Sequence, residues 1–187
     1  PEVALARRFR VPRAAMRELL MHYVRLGLLE RVKNKGTFVK AVSPERLEED
    51  LAVCIELSAF GFEELKEARF HLERLAAPLA ARRVSPALLE RFEANLEGMQ
   101  ARLREPAEAD AFDRDFHLLL LEACGNRVLR LYSSVICSLF HHDYRKRFQT
   151  PAAVKKSLDD HRAILAALRA GDGSRVQVLL EAHIGPT

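Results

Sequence analysis

A mainly α fold in two parts is what this sequence of 187 residues predicts. Three observations predict it. Apolar residues recur at three- and four-residue spacing along most of the chain. Strand-like composition is confined to residues 28–40. The charge is also divided: residues 1–40 carry ten Lys/Arg against three Asp/Glu, and the remainder carries 20 against 23.

Residues 1–9 (PEVALARRF) read as a short helix, with proline tolerated at the first position and Val3, Leu5, Ala6 and Phe9 able to share a face. Arg10-Val11-Pro12 breaks it. Residues 13–26 read as a second helix, apolar along Met16, Leu19, Leu20, Tyr23 and Val24, and Gly27 is placed to close it. Two short β-like runs follow around Lys33-Asn34-Lys35-Gly36, which has hairpin turn chemistry. Helix, tight turn, helix and basic hairpin, in that order, describe a winged helix-turn-helix over residues 1–42. Ser43-Pro44-Glu45 reads as a linker into a capped helix.

From there the pattern is helical throughout, with helices expected at about 44–58, 61–83, 86–103, 107–123, 126–149, 151–170 and 172–184. Residues 43–187 are therefore expected to form an all-α bundle of six or seven helices. An apolar fraction of 49% is ample for a core. No apolar run of roughly 18 residues is present, so no membrane span is expected, and no signal peptide is visible. Three cysteines without CxxC spacing read as reduced thiols buried in helices, which suits a cytoplasmic protein.

The basic first segment suggests a polyanion partner for that part alone. In a helix-turn-helix the second helix enters the major groove by its N-terminal end, where this chain offers Arg13 and Arg17, four apart. Arginine suits bidentate contact with guanine or phosphate. Lys33 and Lys35 at the hairpin tip are placed for the minor groove or backbone, and Arg7, Arg8 and Arg10 for phosphates. A pairing of Arg17 with a carboxylate such as Glu18 or Glu30 is the competing reading.

The second part holds a different chemistry. Asp113 and His117 stand four apart, on one helix face, while His161 opens one later helical stretch and His183 closes another. Three imidazoles and a carboxylate are a plausible set for a divalent transition metal, with Zn, Ni, Mn and Fe all admissible. Asp115, two residues from His117, points to another face. His141-His142-Asp143 reads as surface or pocket edge, and His22 and His71 as structural residues.

These residues carry a resemblance. Leu5-Ala6, Val11-Pro12-Arg13, Met16-Arg17-Glu18-Leu19-Leu20, Gly27-Leu28-Leu29 and Gly36-Thr37-Phe38-Val39 resemble the winged helix of GntR-family transcription regulators. The resemblance places Arg13 and Arg17 on the recognition helix and Gly36 at the wing tip. Pro12-Arg13-Ala14-Ala15 departs from the family's Ser-Arg-Thr-Pro and loses two hydroxyls. The family domain's first helix and strand have no counterpart, so an N-terminally truncated winged helix is expected.

Residues 46–187 resemble the FCD effector domain of the FadR-type subfamily. The matching stretches are Glu64-Leu-Lys-Glu-Ala-Arg69 with Leu72-Glu73, Asp113-x-x-Phe116-His117 with Ala123-Cys124-Gly125-Asn126, and His161-Arg-Ala-Ile-Leu-x-Ala-Leu-Arg-Ala-Gly-Asp172. The resemblance implies a divalent metal on Asp113, His117, His161 and His183. It also implies a small carboxylate effector that Arg69 contacts, a double-stranded DNA operator, a homodimer and action as a repressor. Pairing of Arg69 with Glu73, at i+4, is the alternative. A metal-dependent enzyme acting on a small organic acid is the rival function. No catalytic residues are assigned, because neither a nucleophile elbow nor a phosphate loop is present.

Overall fold

The computed structural model describes residues 2–33, 35–40, 50–51, 53–54, 57–58, 60–144 and 150–185, with backbone only over 138–144. The chain divides into two compact units, Pro1–Leu47 and Glu48–Thr187.

In the first unit, α1 (Glu2–Phe9) and α2 (Arg13–Arg25) precede an antiparallel hairpin of β1 (Leu29–Val32) and β2 (Gly36–Val39). Gly27 does close α2. At φ +73° it donates its N–H to Val24, and Leu28 donates to Tyr23, a Schellman closure that glycine permits without strain. Pairing runs from Leu29 opposite Val39 to Val32 opposite Gly36. Ala6 and Met16 are buried, and Leu5, Leu20, Val24 and Val32 half-buried. Val3, Phe9, Leu19 and Tyr23, expected on the apolar faces, are instead exposed. Within this unit the helices pack along a narrower stripe than apolar spacing alone suggests, centred on Ala6, Met16 and Leu20.

The second unit is a helical bundle of α3 (Phe62–Arg83), α4 (Pro86–Ala101), α5 (Pro106–Ala123), α6 (Arg127–Tyr144), α7 (Pro151–Arg169) and α8 (Gly173–Ile184). Most of the helix expected over 44–58 lies outside the described residues; Asp50, Leu51, Val53, Cys54 and Leu57 are helical. The helix starts are written in the sequence. Pro86, Pro106 and Pro151 occupy first-turn positions, where a missing N–H costs nothing. Ser85, Thr150 and Asp172 accept N–H groups of Leu88, Ala153 and Arg175 as N-caps.

α3 is the central helix, packed against α5, α6, α7 and α8. Its run of Ala76, Ala77, Ala80 and Ala81 is buried and lets α8 approach closely. Phe92, Met99, Phe116, Leu120, Leu158, Ile164, Leu168 and Leu180 fill the space between the helices. Cys124 and Cys137 are buried as expected, but Cys54 is exposed. Among the described residues no helix is long and apolar enough to cross a membrane.

Candidate metal centre

The site forms where α5, α7 and α8 meet α3. Asp113 and His117 stand one turn apart on α5, and both are buried. Ser157 and His161 repeat that spacing on α7. The Ser157 hydroxyl donates to Asp113 Oδ1 at 2.5 Å. One turn along, His161 Nε2 lies 3.2 Å from His117 Nε2. It also lies 3.1 Å from His183 Nε2, supplied by the last turn of α8. Asp113 Oδ1 is 3.5 Å from the same nitrogen. One ligand atom from each of the four residues lies within 4.8 Å of every other. The quartet singled out in the sequence is thus brought together.

Two of the rings have their tautomer set from behind. His117 Nδ1 lies 2.6 Å from Glu73 Oε2, and His183 Nδ1 lies 3.0 Å from Asp160 Oδ2. A carboxylate only accepts, so each Nδ1 carries the proton and donates. In the neutral ring Nε2 is then a bare lone pair, and both lone pairs face His161 Nε2. Two imidazole lone pairs and a carboxylate oxygen thus converge on His161 Nε2, a set that either a proton on that nitrogen or a cation satisfies. With three imidazoles and one carboxylate it fits a divalent transition metal.

His161 is held differently. Its Nδ1 is buried and has no hydrogen-bond partner, while its ring stacks on Phe116 with centroids 3.9 Å apart and planes 4° from parallel. Burial drives the His161 pKa well below its usual range. Asp113 opposes this, while His183, His117 and Arg69 reinforce it. The ring is therefore neutral and able to ligate. For Asp160 burial pushes upward, but hydrogen bonds from His183 and Lys156 outweigh it and hold the carboxyl at about 2.

Arg69 and Glu73 on α3 are both buried, and Arg69 Nε donates to Glu73 Oε1 at 2.7 Å. The i+4 pairing weighed in the sequence is therefore present. Burial alone would lower the Arg69 pKa, but Glu73 above all keeps the guanidinium charged. Cys137 Sγ lies 3.6 Å from the same Glu73 oxygen, and burial with the neighbouring carboxylate pushes its pKa upward, so it stays a thiol. Asp115 is exposed, beside Arg114, and lines a surface groove of about 520 Å³ with Arg91, Glu122 and Arg130. His22 and His71 are exposed, and the side chains of His141-His142-Asp143 lie outside the described residues.

In the first unit, Arg13 and Arg17 share one carboxylate oxygen, that of Glu2, at 3.0 and 3.4 Å. Their partner is neither Glu18 nor Glu30. Both side chains remain more than half exposed, and Lys33, Lys35 and Gly36 are exposed. Gly36, at φ +118°, makes the turn back into β2.

Residues 64–185 match the FCD domain family. The chain belongs to the FCD-domain group of GntR-family transcription regulators. It is 28% identical over 186 residues to the HTH-type transcriptional regulator LutR of Bacillus subtilis (strain 168), covering 97% of this chain and 85% of that protein. It is 27% identical over 191 residues to an Escherichia coli (strain K12) protein named for regulation of the L-lactate dehydrogenase operon, covering 98% of this chain and 73% of that one. The fold is similar to the solved structure of Streptococcus agalactiae GntR, at 22% identity and a TM-score of 0.65, covering 98% and 85% of the two chains. In this regulator Glu73, Asp160, Ser157 and Phe116 were not singled out for the site. One signal was available: Ser157 repeats relative to His161 the i,i+4 relation of Asp113 to His117.

Proposed function

We propose that this regulator works in the cytoplasm as a homodimeric repressor that binds a double-stranded operator through its first unit. Asp113, His117, His161 and His183 would hold a divalent transition metal, and a small carboxylate effector would modulate DNA binding. When bound, such a metal supplies open coordination positions that a carboxylate can fill. One observation carries the reading: three imidazole Nε2 atoms converge, with two rings fixed by carboxylates to present lone pairs. Arg69 is the candidate for forking onto the effector's carboxylate, and an arginine suits that role. Arg13, Arg17, Lys33 and Lys35, with Gly36 shaping the wing, support DNA contact.

The test is the metal content of tag-free protein purified without chelator, beside His161→Ala. About one metal per chain in the wild type, falling sharply in the variant, supports the site. No metal in either protein, even after reconstitution, overturns it. Carboxylate screening then starts with L-lactate, given the relative named for an L-lactate dehydrogenase operon. Binding of the effector and of DNA must shift each other reciprocally. DNA affinity unchanged by a bound carboxylate, at matched salt, sinks the effector role.

A further inference from the structure

We infer that Glu73 is a positioning residue for the metal centre, an inference that rests on the metal reading above. Its carboxylate is fully buried and both oxygens are engaged. Oε2 receives the Nδ1 proton of His117 at 2.6 Å. Oε1 receives Arg69 Nε at 2.7 Å and faces the Cys137 thiol at 3.6 Å. Arg69 and Cys137 thus hold the carboxylate in place from α3 and α6, and the carboxylate holds His117.

The consequence is chemical as well as steric. A neutral imidazole has one proton to place on two nitrogens, and only the Nδ1–H form leaves Nε2 able to ligate. An acceptor at Nδ1 selects that form and makes the ring a stronger donor. His183 has an equivalent partner in Asp160, but Asp160 is about one-third exposed, so water can replace it. Glu73 and His117 are fully buried, and no solvent substitute reaches them. Of the two carboxylates behind the ligands, Glu73 is the one whose loss leaves its ring without direction.

Removing Glu73 alone strands the Arg69 charge in the core, which threatens folding for reasons unrelated to metal. The decisive variant therefore removes both charges together, as Arg69→Met/Glu73→Met, with Glu73→Gln beside it to keep an acceptor near His117. Zn²⁺ affinity is measured by competition with a chromophoric chelator, with circular dichroism reporting the fold. Ring ¹⁵N shifts in metal-free protein report the His117 tautomer. The expected result is a folded double variant that binds Zn²⁺ about 10- to 100-fold more weakly and has lost the pure Nδ1–H signature. Glu73→Gln, where folded, is expected to lose less affinity and to keep that signature. Wild-type affinity in the folded double variant overturns the inference, as does weaker binding with the tautomer unchanged. His161→Ala, run in parallel, separates the two failures. If that variant binds Zn²⁺ like the wild type, the metal reading falls and the role of Glu73 falls with it.

Discussion

The ring of His161 lies flat on the ring of Phe116, with centroids 3.9 Å apart and planes 4° from parallel. Phe116 in turn meets Phe92 edge to face at 5.0 Å, so the stack is anchored in the core between α4 and α5. His161 Nδ1 has no hydrogen-bond partner, so this stack supports the ring from one face while the His117 and His183 nitrogens meet its Nε2 edge. Phe116→Leu keeps an apolar core but removes the flat surface. It is expected to cost about 1–3 kcal/mol of stability and to weaken metal binding severalfold. Denaturant melts and a Zn²⁺ titration check both; unaltered metal binding in the destabilised variant contradicts the orienting role.

Gly173, the first residue of α8, abuts α3. A Cβ placed there comes within 2.7 Å of the Pro78 Cα, a backbone atom that cannot swing away. Gly173→Ala is expected to push α8 off α3 at a cost of about 1–3 kcal/mol. Because α8 moves as a rod, His183 at its far end is displaced as well. Urea denaturation and metal affinity should fall together, and a wild-type urea midpoint is the outcome that rejects this packing argument.

Glu2 neutralises part of the charge that Arg13 and Arg17 offer. The hydrogen bond from Arg13 above all keeps the Glu2 carboxyl below its ordinary pKa, with desolvation opposing and Arg17 assisting. A lowered carboxyl pKa means the pair persists throughout the neutral range and is lost only in acid. Glu2→Gln is expected to tighten operator binding at low salt and to steepen the salt dependence by about one unit of slope. Fluorescence anisotropy across a salt series reads both; a slope equal to the wild type argues that the two arginines do not face DNA.

Arg10 sits at φ 54°, in the left-handed region that favours glycine, where it closes α1 by donating its N–H to Arg7. Arg10→Gly should relieve this strain and stabilise the first unit by about 1 kcal/mol. The same change removes a cation from the basic surface, so DNA affinity is expected to drop and the salt slope to become shallower. A variant that is less stable than the wild type goes against the strain argument.

Much of this molecule was legible in one dimension because its signals are local. Three- and four-residue spacing, prolines at first-turn positions and Gly27 after α2 each act within a few residues. The helix positions follow from them. Asp113 and His117 were legible as a pair because one turn of helix puts them on the same face. The exposure of Val3, Phe9, Leu19 and Tyr23 was not, because periodicity says which residues share a face and not how much of that face a neighbour covers. Nor was the partner of Arg17 readable: Glu18 and Glu30 are nearer in sequence, but folding brings Glu2 to it across 15 positions.

By itself, then, the sequence determined the helices, the hairpin, the division of charge and the Asp113–His117 pair, which depend on residue type and short spacing; His161 and His183 joined that pair as candidates by residue type and family resemblance. Tertiary structure decided what stands behind those candidates. It paired His117 with Glu73 across 44 positions and His183 with Asp160 across 23. It gave His161 no acceptor at Nδ1 and laid its ring on Phe116. The physical reason is that a tautomer is set by whichever acceptor the packed helices bring to the far side of the ring. Spacing along the chain carries no record of that.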